Sequence, residues 1–334
     1  MATIQSRKRE HVEAVINSSV EHETKSNGFD AIDFEHNALP EVNLSEIDTQ
    51  TTFLGFKLDA PFIVTGMTGG YPDAEQINKD LAVACEKEGI AFGLGSMRAM
   101  VEKPELTRTY DVRKAAPNVF LLGNFGGIQL KTISIEKIRS ACDTLQVNAL
   151  AIHLNPAQEA VQDDGETEWK GVLKAITEAC KKLGYPIIAK EVGAGLSADA
   201  CKKLEAAGVK AIDVSGAGGT SWVAVELARG GKQEGKVFWD WGIPTTTALR
   251  NAAAEVEVEL IASGGVRNGL EAAKAIRLGA KLAGAASPFI KAQRESGVEG
   301  VRKEIQAWKS QLKIAMLCTG SKDLAALRKA KLLT

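Results

Sequence analysis

From residue 61 onward, short apolar runs that end in Gly, Ser or Asn alternate with stretches whose apolar residues recur at helical spacing. Such runs predict buried strands, and the stretches between them predict amphipathic helices. The pattern predicts eight strands, at residues 61–66, 90–95, 119–124, 149–154, 186–192, 211–216, 260–265 and 281–286. The clearest helices are predicted at residues 73–88, 167–183, 197–207 and 268–278.

Strands that alternate with helices predict parallel βαβ units and an α/β fold. Eight such units within about 230 residues match the (β/α)₈ TIM barrel, whose usual length is about 250 residues. A doubly wound sheet is the alternative, and periodicity alone does not exclude it. The strand count favours the barrel.

The two ends of the chain do not follow this alternation of strands and helices. Residues 1–55 begin with a charged, helix-like stretch and continue through an irregular segment. Residues 298–334 are predicted to form a helical tail, because apolar residues such as Ile305, Trp308 and Leu312 recur near helical spacing. The whole chain, residues 1–334, is therefore predicted to be one barrel domain with an N-terminal flap and a helical tail.

Composition narrows the class of protein. The 334 residues include 41 Lys and Arg and 42 Asp and Glu, and the resulting charge of −1 argues against bulk attraction to nucleic acid or acidic membranes. No run approaches the ~18 apolar residues of a membrane span, and the N-terminus lacks the apolar run of a secretory signal. The five cysteines fit neither a disulfide framework nor a zinc motif. These features predict a reduced, cytoplasmic enzyme with neither nucleic acid nor membrane as partner.

Glycine is more abundant than its usual share of roughly 7%, at 32 of 334 residues. Two glycine-rich stretches, SGAGGT (215–220) and SGGVRNG (263–269), follow the sixth and seventh predicted strands. Their free backbone N–H groups, together with the N-terminus of the helix after Asn268, suit a phosphate dianion. Barrels of this kind bind phosphate near the loops after strands seven and eight. One glycine-rich turn is often only a turn, but two adjacent ones in this place favour phosphate.

Lys190 lies at the end of the fifth predicted strand, PIIAKEV. Strand alternation makes Lys190 and Glu191 point to opposite faces, so they do not readily neutralise each other. A lysine inside a barrel is costly without a negative partner. A rim lysine that reaches water is the alternative, but a ligand that carries or develops negative charge explains the position better.

The run HLNPAQE concentrates polar groups at the end of the fourth predicted strand. His153 is a candidate acid, base or hydrogen-bond donor, with Asn155 and Gln158 beside it. Glu159 offers an oxygen ligand to Mg²⁺, which usually takes one or two carboxylates plus waters and phosphate. Singly, each has an ordinary explanation as a core histidine or a solvated carboxylate. As a cluster at a strand end, they predict a functional site.

Basic residues predict an anion clamp at the mouth of the barrel. Arg98 follows the second predicted strand, and Arg7 and Lys8 belong to the charged run RKREH. Such runs are usually solvated helix faces. Folded over the barrel mouth, however, these side chains would join Arg98 in binding an anion. Asp163 and Asp164 are interpreted as a solvated turn.

These motifs resemble one known family along nearly the whole chain: the type 2, FMN-dependent isopentenyl-diphosphate isomerases. The resemblance is carried by RKREH, FEHNALPEV, TTFLG, MTGG, GLGSMR, HLNPAQEAVQ, AKEVGAGLS, DVSGAGGTSW, WDWGIPTTTAL and SGGVRNG. It implies a (β/α)₈ barrel that interconverts isopentenyl and dimethylallyl diphosphate. It also implies reduced FMN, NADPH as the reductant, Mg²⁺, and assembly into a homo-oligomer, a tetramer or octamer.

The resemblance further implies roles for residues of this sequence. FMN would be bound by Met67, Thr68, Gly69, Ser96, Asn124, Lys190, Ser215, Thr220, Gly265, Val266, Arg267, Ala285 and Ala286. The diphosphate substrate would be bound by Arg7, Lys8, Ser96, Met97, Arg98, His153, Asn155 and Gln158. Gln158, His153 and Lys190 would be catalytic, and Glu159 would hold the metal. Met97 stands where the family commonly has glutamine, so only a backbone contact is expected there.

The chemistry agrees with these roles. Moving the double bond adds a proton at C4 and removes one at C2, with positive charge at C3 between the two steps. Reduced flavin offers a proton near N5, Lys190 would stabilise its anionic form near N1, and neutral Gln158 can relay a proton without trapping the cation. We expect the segment that carries Arg7 and Lys8 to become ordered over bound diphosphate.

Three other functions are alternatives for the same residues. An FMN-dependent 2-hydroxy acid oxidase would carry a catalytic histidine beside the strand-seven glycines, where this chain has Ser263. A nucleotide dehydrogenase of the IMP type needs a cysteine after strand six, and SGAGGTSW has none. A flavin- or diphosphate-binding module without turnover is the third. The presence of Lys190, Gln158 and Glu159 counts against it.

Overall fold

The computed structural model describes residues 4–333 of the chain. Eight parallel strands close into a barrel, and each overlaps one of the eight predicted strands, so the TIM-barrel prediction is confirmed. A two-stranded antiparallel hairpin precedes the barrel, formed by β1 (Thr51–Phe53) and β2 (Phe56–Leu58). The barrel strands are β3 (Phe62–Val64), β4 (Ala91–Gly93), β5 (Leu121–Gly126), β6 (Ala149–His153), β7 (Ile187–Lys190), β8 (Ala211–Asp213), β9 (Glu259–Ala262) and β10 (Leu282–Ala285).

Each barrel strand pairs with its neighbour in the chain, and β10 pairs with β3 to close the ring. Twelve α-helices lie among residues 4–333, mostly around the barrel. They are α1 (Ile4–Asn17), α2 (Ala74–Lys87), α3 (Arg98–Glu102), α4 (Ile135–Leu145), α5 (Pro156–Val161), α6 (Val172–Lys182), α7 (Ala198–Ala207), α8 (Trp222–Ala228), α9 (Thr245–Ala253), α10 (Gly269–Arg277), α11 (Ser287–Cys318) and α12 (Leu324–Leu327). Short 3₁₀ helices occur at Phe29–Ala31, Leu44–Glu46, Pro104–Thr109, Gln129–Lys131 and Gln233–Phe238.

The barrel interior is closed at the N-terminal ends of the strands. Inward side chains such as Ile63, Leu122 and Ile188 form one buried cluster, and the hairpin adds Phe53 to it from below. The rings of Phe53 and Phe120 meet edge to face with 5.6 Å between their centroids. Because this end is filled, the C-terminal ends of the strands are left to build a site, as is usual in this fold.

The C-terminal tail differs from its prediction. Helix α11 already begins at Ser287, is interrupted at Ser296 and Gly297, and ends at Cys318, so the chain is not helical through to residue 333. The last residues instead form extended backbone pairs with the N-terminal segment: Glu35 N–H donates to Lys331 O, and Leu333 N–H donates to Asp33 O. A spacing pattern that continues past a helix end cannot reveal this long-range pairing.

Within residues 4–333, no helix combines the length and the apolar character needed to cross a bilayer.

Candidate active site at the C-terminal end of the barrel

A cavity of about 600 Å³ opens at the C-terminal ends of the strands, with α1 over its mouth. This volume lies within the usual range for small-molecule sites. It brings together most of the residues predicted from the sequence: Arg7, Lys8, Met67, Ser96, Arg98, Asn124, His153, Asn155, Gln158, Glu159, Lys190, Ser215, Thr220, Gly265, Val266, Arg267, Ala285 and Ala286.

Three predicted residues, Thr68, Gly69 and Met97, do not line this cavity. The Met97 side chain is fully buried behind the wall, with its sulfur against Gly123. Its backbone N–H is also engaged, because it donates to Asn124 O at 2.8 Å. The prediction that Met97 offers a backbone contact to the substrate is therefore corrected: both its side chain and its N–H support the wall.

Lys190 ends β7 and faces the cavity, with His153 of β6 and Asp213 of β8 as its register neighbours. Its Nζ donates to Glu191 O at 2.5 Å. The Glu191 carboxylate turns the other way and accepts the N–H groups of residues 192–195. The two side chains therefore point apart, as strand alternation predicts, and Lys190 forms no ion pair among the described residues.

His153 is a neutral residue in this site. Its Nδ1 lies 2.8 Å from Asn124 Oδ1, and since that oxygen can only accept, Nδ1 carries the hydrogen and Nε2 is left as an acceptor. Burial, followed by the positive charges of Lys190 and Lys8, lowers the pKa of His153 to about 3. With these neighbours alone, His153 is a neutral hydrogen-bonding group near neutral pH.

Gln158 is fixed on both sides by hydrogen bonds. Its Oε1 accepts from Asn155 Nδ2 at 3.0 Å, and its Nε2 donates to Glu226 Oε1 at 2.7 Å. The Glu226 side chain, on α8, is only 1% exposed. Burial by itself would raise the pKa of Glu226, but the bonds to His11, Gln158 and Arg229 hold it below its usual value. An ionised carboxylate thus orients the Gln158 amide.

Glu226 was missed in the sequence. The only available signal is a carboxylate inside the apolar run WVAVELA of α8, which gives no hint of its partner 68 residues away.

The basic mouth is present, but its guanidinium groups already have acidic partners. Arg7 Nη1 lies 2.7 Å from Asp164 Oδ2, while Asp164 lies in an exposed turn as predicted, with its side chain 61% exposed. Arg98 lies 2.6 Å from Glu102 and 2.7 Å from Glu166. An incoming anion would have to displace these carboxylates or share the guanidinium groups with them.

The two glycine-rich loops form the far wall of the cavity. Arg267 Nη2 donates to Gly218 O at 2.8 Å and to Glu21 at 2.9 Å, so it ties both loops to the N-terminal segment. Ser215 has a left-handed φ of 39°, uncommon for a residue with a side chain, and local strain of this kind clusters at functional sites. Gly265 has φ 76°, and a Cβ there would lie 2.4 Å from Gly218 O. The loops touch backbone to backbone, and Gly219, Gly264 and Gly265 line the cavity.

Gly265→Ala should lower the melting temperature and weaken flavin binding. The left-handed backbone alone costs about 1 kcal/mol or more, and the collision with Gly218 must move one loop away from the other. Gly184→Ala is the matched control: Gly184 also has positive φ, 86°, but open space around its Cβ position. Thermal unfolding and flavin titration of both variants check this. If Gly265→Ala and Gly184→Ala changed the melting temperature and the flavin affinity equally, the collision between residue 265 and Gly218 would not be the cause.

Comparison with known proteins identifies the family. A family model described as FMN-dependent dehydrogenase matches residues 1–122 and 126–334. An isopentenyl-diphosphate delta-isomerase of Stutzerimonas stutzeri is 45% identical over 337 residues, which cover 98% of this chain and 96% of that protein. One of Pyrococcus furiosus is 44% identical over 336 residues, covering 97% and 85%. The chain belongs to the isopentenyl-diphosphate delta-isomerase family.

Solved structures similar to this family member confirm the fold. A flavocytochrome b2 variant superposes with a TM-score of 0.72 at 22% identity, covering 97% of this chain and 82% of that one. A mandelate oxidase variant superposes with a TM-score of 0.68 at 14% identity, covering 96% and 95%. At these identities the likeness concerns the barrel alone.

The residues present fit FMN. Gly219, Gly264 and Gly265 of the glycine-rich loops line one wall without side chains, which lets the backbone approach a phosphate closely. Lys190 offers positive charge at the cavity floor, and Asn124 offers an amide. By contrast, among residues 4–333 no group of three or more His, Cys, Asp or Glu forms a ready-made metal site.

Proposed function

We propose that this enzyme interconverts isopentenyl and dimethylallyl diphosphate, with reduced FMN as acid–base cofactor, NADPH as its reductant and Mg²⁺ on the diphosphate. The observation that carries the proposal is a neutral amide, Gln158, fixed between Asn155 and the Glu226 carboxylate in the cavity that also holds the basic mouth. A neutral hydrogen-bonding group suits a reaction that develops positive charge on carbon.

The cavity wall is suited to a carbocation-like species. Shifting the double bond adds a proton at C4 and removes one at C2, so C3 becomes electron-poor and a strong nucleophile beside it would trap the substrate. Among the described residues, no cysteine lines the cavity. Gln158 can orient a proton acceptor or donor without forming a covalent bond to carbon. The ionised Glu226 behind it adds negative charge near the site.

Lys190 and the glycine-rich loops are the residues that would hold FMN. Bound in reduced form, FMN supplies an exchangeable proton and an electron-rich face for an alkene. Lys190, which forms no ion pair among the described residues, would supply the positive charge that favours the anionic reduced form. Asn124, bonded to His153, would add an amide donor.

Arg7, Lys8 and Arg98 would bind the diphosphate. Mg²⁺ usually binds through one or two carboxylates plus phosphate oxygens, and Glu159 is the carboxylate in position. Its Oε1 accepts from Asn155 Nδ2 at 3.0 Å, and its Oε2 accepts from Glu166 N–H at 2.7 Å. Burial raises the pKa of Glu159, and a bound divalent cation would favour its ionised form.

Glu159→Gln should raise the Mg²⁺ concentration needed for half-maximal turnover by about tenfold or more, because the amide lacks the charge that the cation requires. Flavin affinity should be unchanged. Asp163→Asn is the control, since Asp163 is an exposed carboxylate in the same region that does not line the cavity. A Mg²⁺ requirement that stays at the parent value in Glu159→Gln would remove Glu159 from the proposed metal site.

The oxidase alternative is weaker on chemical grounds. A 2-hydroxy acid oxidase needs a base beside the strand-seven glycines. Ser263 occupies that position, and its Oγ donates to Asp213 Oδ1 at 2.7 Å. His153, which lines the cavity, has its pKa lowered to about 3 and is a weak base.

A single assay separates the two activities. The FMN-loaded protein, reduced with NADPH or dithionite in ²H₂O, is incubated with isopentenyl diphosphate and Mg²⁺. We expect dimethylallyl diphosphate and deuterium in both compounds, dependent on flavin reduction, and no flavin reduction by 2-hydroxy acids. Normal turnover with 5-deaza-FMN would contradict the acid–base role of the flavin, and absence of exchange would contradict the isomerase proposal. Homo-oligomer assembly, a cytoplasmic location and ordering of the α1 segment over substrate stay predictions from the sequence.

A further inference from the structure

Lys8 is held differently from the other two cations of the mouth. Arg7 and Arg98 each lie within 2.7 Å of a carboxylate. Lys8 Nζ instead donates to two neutral acceptors, Ser96 O at 2.5 Å and Tyr110 Oη at 2.8 Å. Among the described residues it forms no ion pair. Burial, and then the charge of Arg98, lowers the pKa of Lys8 to about 7.

Tyr110 is arranged to accept from Lys8. It is fully buried and does not line the cavity, so it does not touch a ligand there. Its Oη donates its one hydrogen to Ser96 O at 2.7 Å, which leaves the oxygen lone pairs for Lys8. Burial raises the pKa of the Tyr110 phenol, so the hydroxyl keeps its hydrogen.

The loop of residues 67–70 is shaped around this contact. A Cβ on Gly69 would lie 2.0 Å from the Tyr110 ring, and a Cβ on Gly70 would lie 2.9 Å from Tyr110 Oη and 3.1 Å from Lys8 Cδ. Gly70 N–H also donates to Thr109 Oγ1 at 2.9 Å. The glycines of MTGG thus admit the phenol and the lysine stem, which explains Gly69 without a cofactor contact.

We infer that Tyr110 is a positioning residue of the diphosphate site: its hydroxyl and the Ser96 carbonyl hold the Lys8 ammonium at the cavity mouth. The inference rests on the proposed function, because it makes Lys8 the receiver of a diphosphate. Because its hydrogen-bond acceptors are neutral, the Lys8 ammonium can pair with an incoming anion without losing an ion pair. Arg7 and Arg98 would first have to release a carboxylate or bind the anion in addition to it.

A double-mutant cycle with inorganic pyrophosphate tests this on the FMN-loaded protein. We expect Tyr110→Phe to weaken pyrophosphate binding about tenfold, as loss of a hydrogen bond to a charged group does. In the Lys8→Ala variant, Tyr110→Phe should lower pyrophosphate affinity by less than about twofold. The effects of two residues that act through one contact are not additive. Tyr71→Phe is the matched control, a buried tyrosine directly after the same loop that does not line the cavity. It should bind pyrophosphate like the parent.

Kinetics and pH give a readout that loss of structure alone would not give. Tyr110→Phe should raise KM for isopentenyl diphosphate with kcat nearly unchanged. The charged and titratable groups around Lys8 are Arg7, Arg98, Glu102, Tyr110 and His153. Affinity for pyrophosphate should fall as pH rises through the pKa of Lys8, because the ammonium loses its charge. Without the Tyr110 acceptor the charged form of Lys8 is less favoured and its pKa is lower. In Tyr110→Phe the fall in affinity should therefore begin at lower pH. Titration of pyrophosphate itself is common to both proteins and cancels in their ratio.

The outcomes separate the inference from the proposed function. If Tyr110→Phe costs the same factor with and without Lys8, or costs nothing, the positioning role is overturned. If the parent does not bind pyrophosphate, the diphosphate assignment fails. In that case the pKa of Lys8 in the ligand-free protein, measured from the pH dependence of its reductive methylation, tests the contact with Tyr110. A lower Lys8 pKa in Tyr110→Phe than in the parent supports the contact, and an unchanged Lys8 pKa overturns it.

Discussion

Replacing Lys190 with alanine should remove about 100- to 1,000-fold of the isomerase turnover, the size usual for loss of one electrostatic group at a reacting centre. Lys190 ends β7 at the cavity wall, is 8% exposed and forms no ion pair among the described residues. A ligand in the cavity would share its positive charge with the buried Asp213, its register neighbour on β8. Alanine leaves the strand and the wall intact but removes the charge that the anionic reduced flavin would face.

The measurements are turnover at saturating reduced FMN and the midpoint potential of bound FMN, which should become more negative in Lys190→Ala. Lys202→Ala is the control, because Lys202 lies on the outer surface of α7, is 52% exposed and pairs with Glu255 at 3.0 Å. It should match the parent in both. Parent-like turnover together with an unchanged flavin potential in Lys190→Ala would show that Lys190 does not act on the flavin.

The barrel and the floor of its site could be predicted from local pattern. Strand ends are marked by apolar runs that stop at small or polar residues, and parallel strands bring those ends to one face. Lys190 and His153 were assigned to strand ends for this reason, and Asn124 was assigned to the site by the family resemblance. The structure places all three on the cavity. Strand alternation was also enough to separate Lys190 from Glu191, whose carboxylate binds its own loop.

The parts that could not be predicted depend on contacts between distant segments. Asp164 meets Arg7 across 157 residues, and Tyr110 meets Lys8 across 102 residues. Neither partner has a local signal, because both lie in irregular or short helical connections. Met97 shows a second limit of prediction from the sequence. Proximity to a strand end does not tell which way a side chain turns, and this one packs behind the wall.

Glu226→Gln should lower kcat by about 100-fold, within the usual contribution of a positioned acid–base group, and leave KM for the diphosphate substrate nearly unchanged. Glu226 Oε1 accepts from Gln158 Nε2 at 2.7 Å, and Arg229 Nη1 donates to Oε2 at 2.5 Å. Glutamine keeps the shape but offers an N–H₂ group to one of these donors. The N–H₂ group then faces either Arg229 or the pair Gln158 and His11, and in both cases the negative charge that orients the Gln158 amide is lost.

Glutamine is a better probe here than alanine. Removing the whole side chain would leave Arg229, whose side chain is 10% exposed, without its buried partner, and breaking a buried pair costs about 3–5 kcal/mol. Glu10→Gln is the matched control, because Glu10 pairs with the same Arg229 at 3.0 Å from the exposed side and does not line the cavity. It should keep the parent kcat.

The coupling to Gln158 decides whether Glu226 acts on the chemistry or only on stability. If Glu226 works by orienting Gln158, then Gln158→Met and the double variant Gln158→Met, Glu226→Gln should have nearly the same kcat, since residues in one network are not additive. Deuterium exchange at C2 and C4, measured in each variant, reports the proton steps directly. Additive losses, or a Glu226→Gln variant with parent kcat and raised KM, would place Glu226 in substrate binding or folding instead.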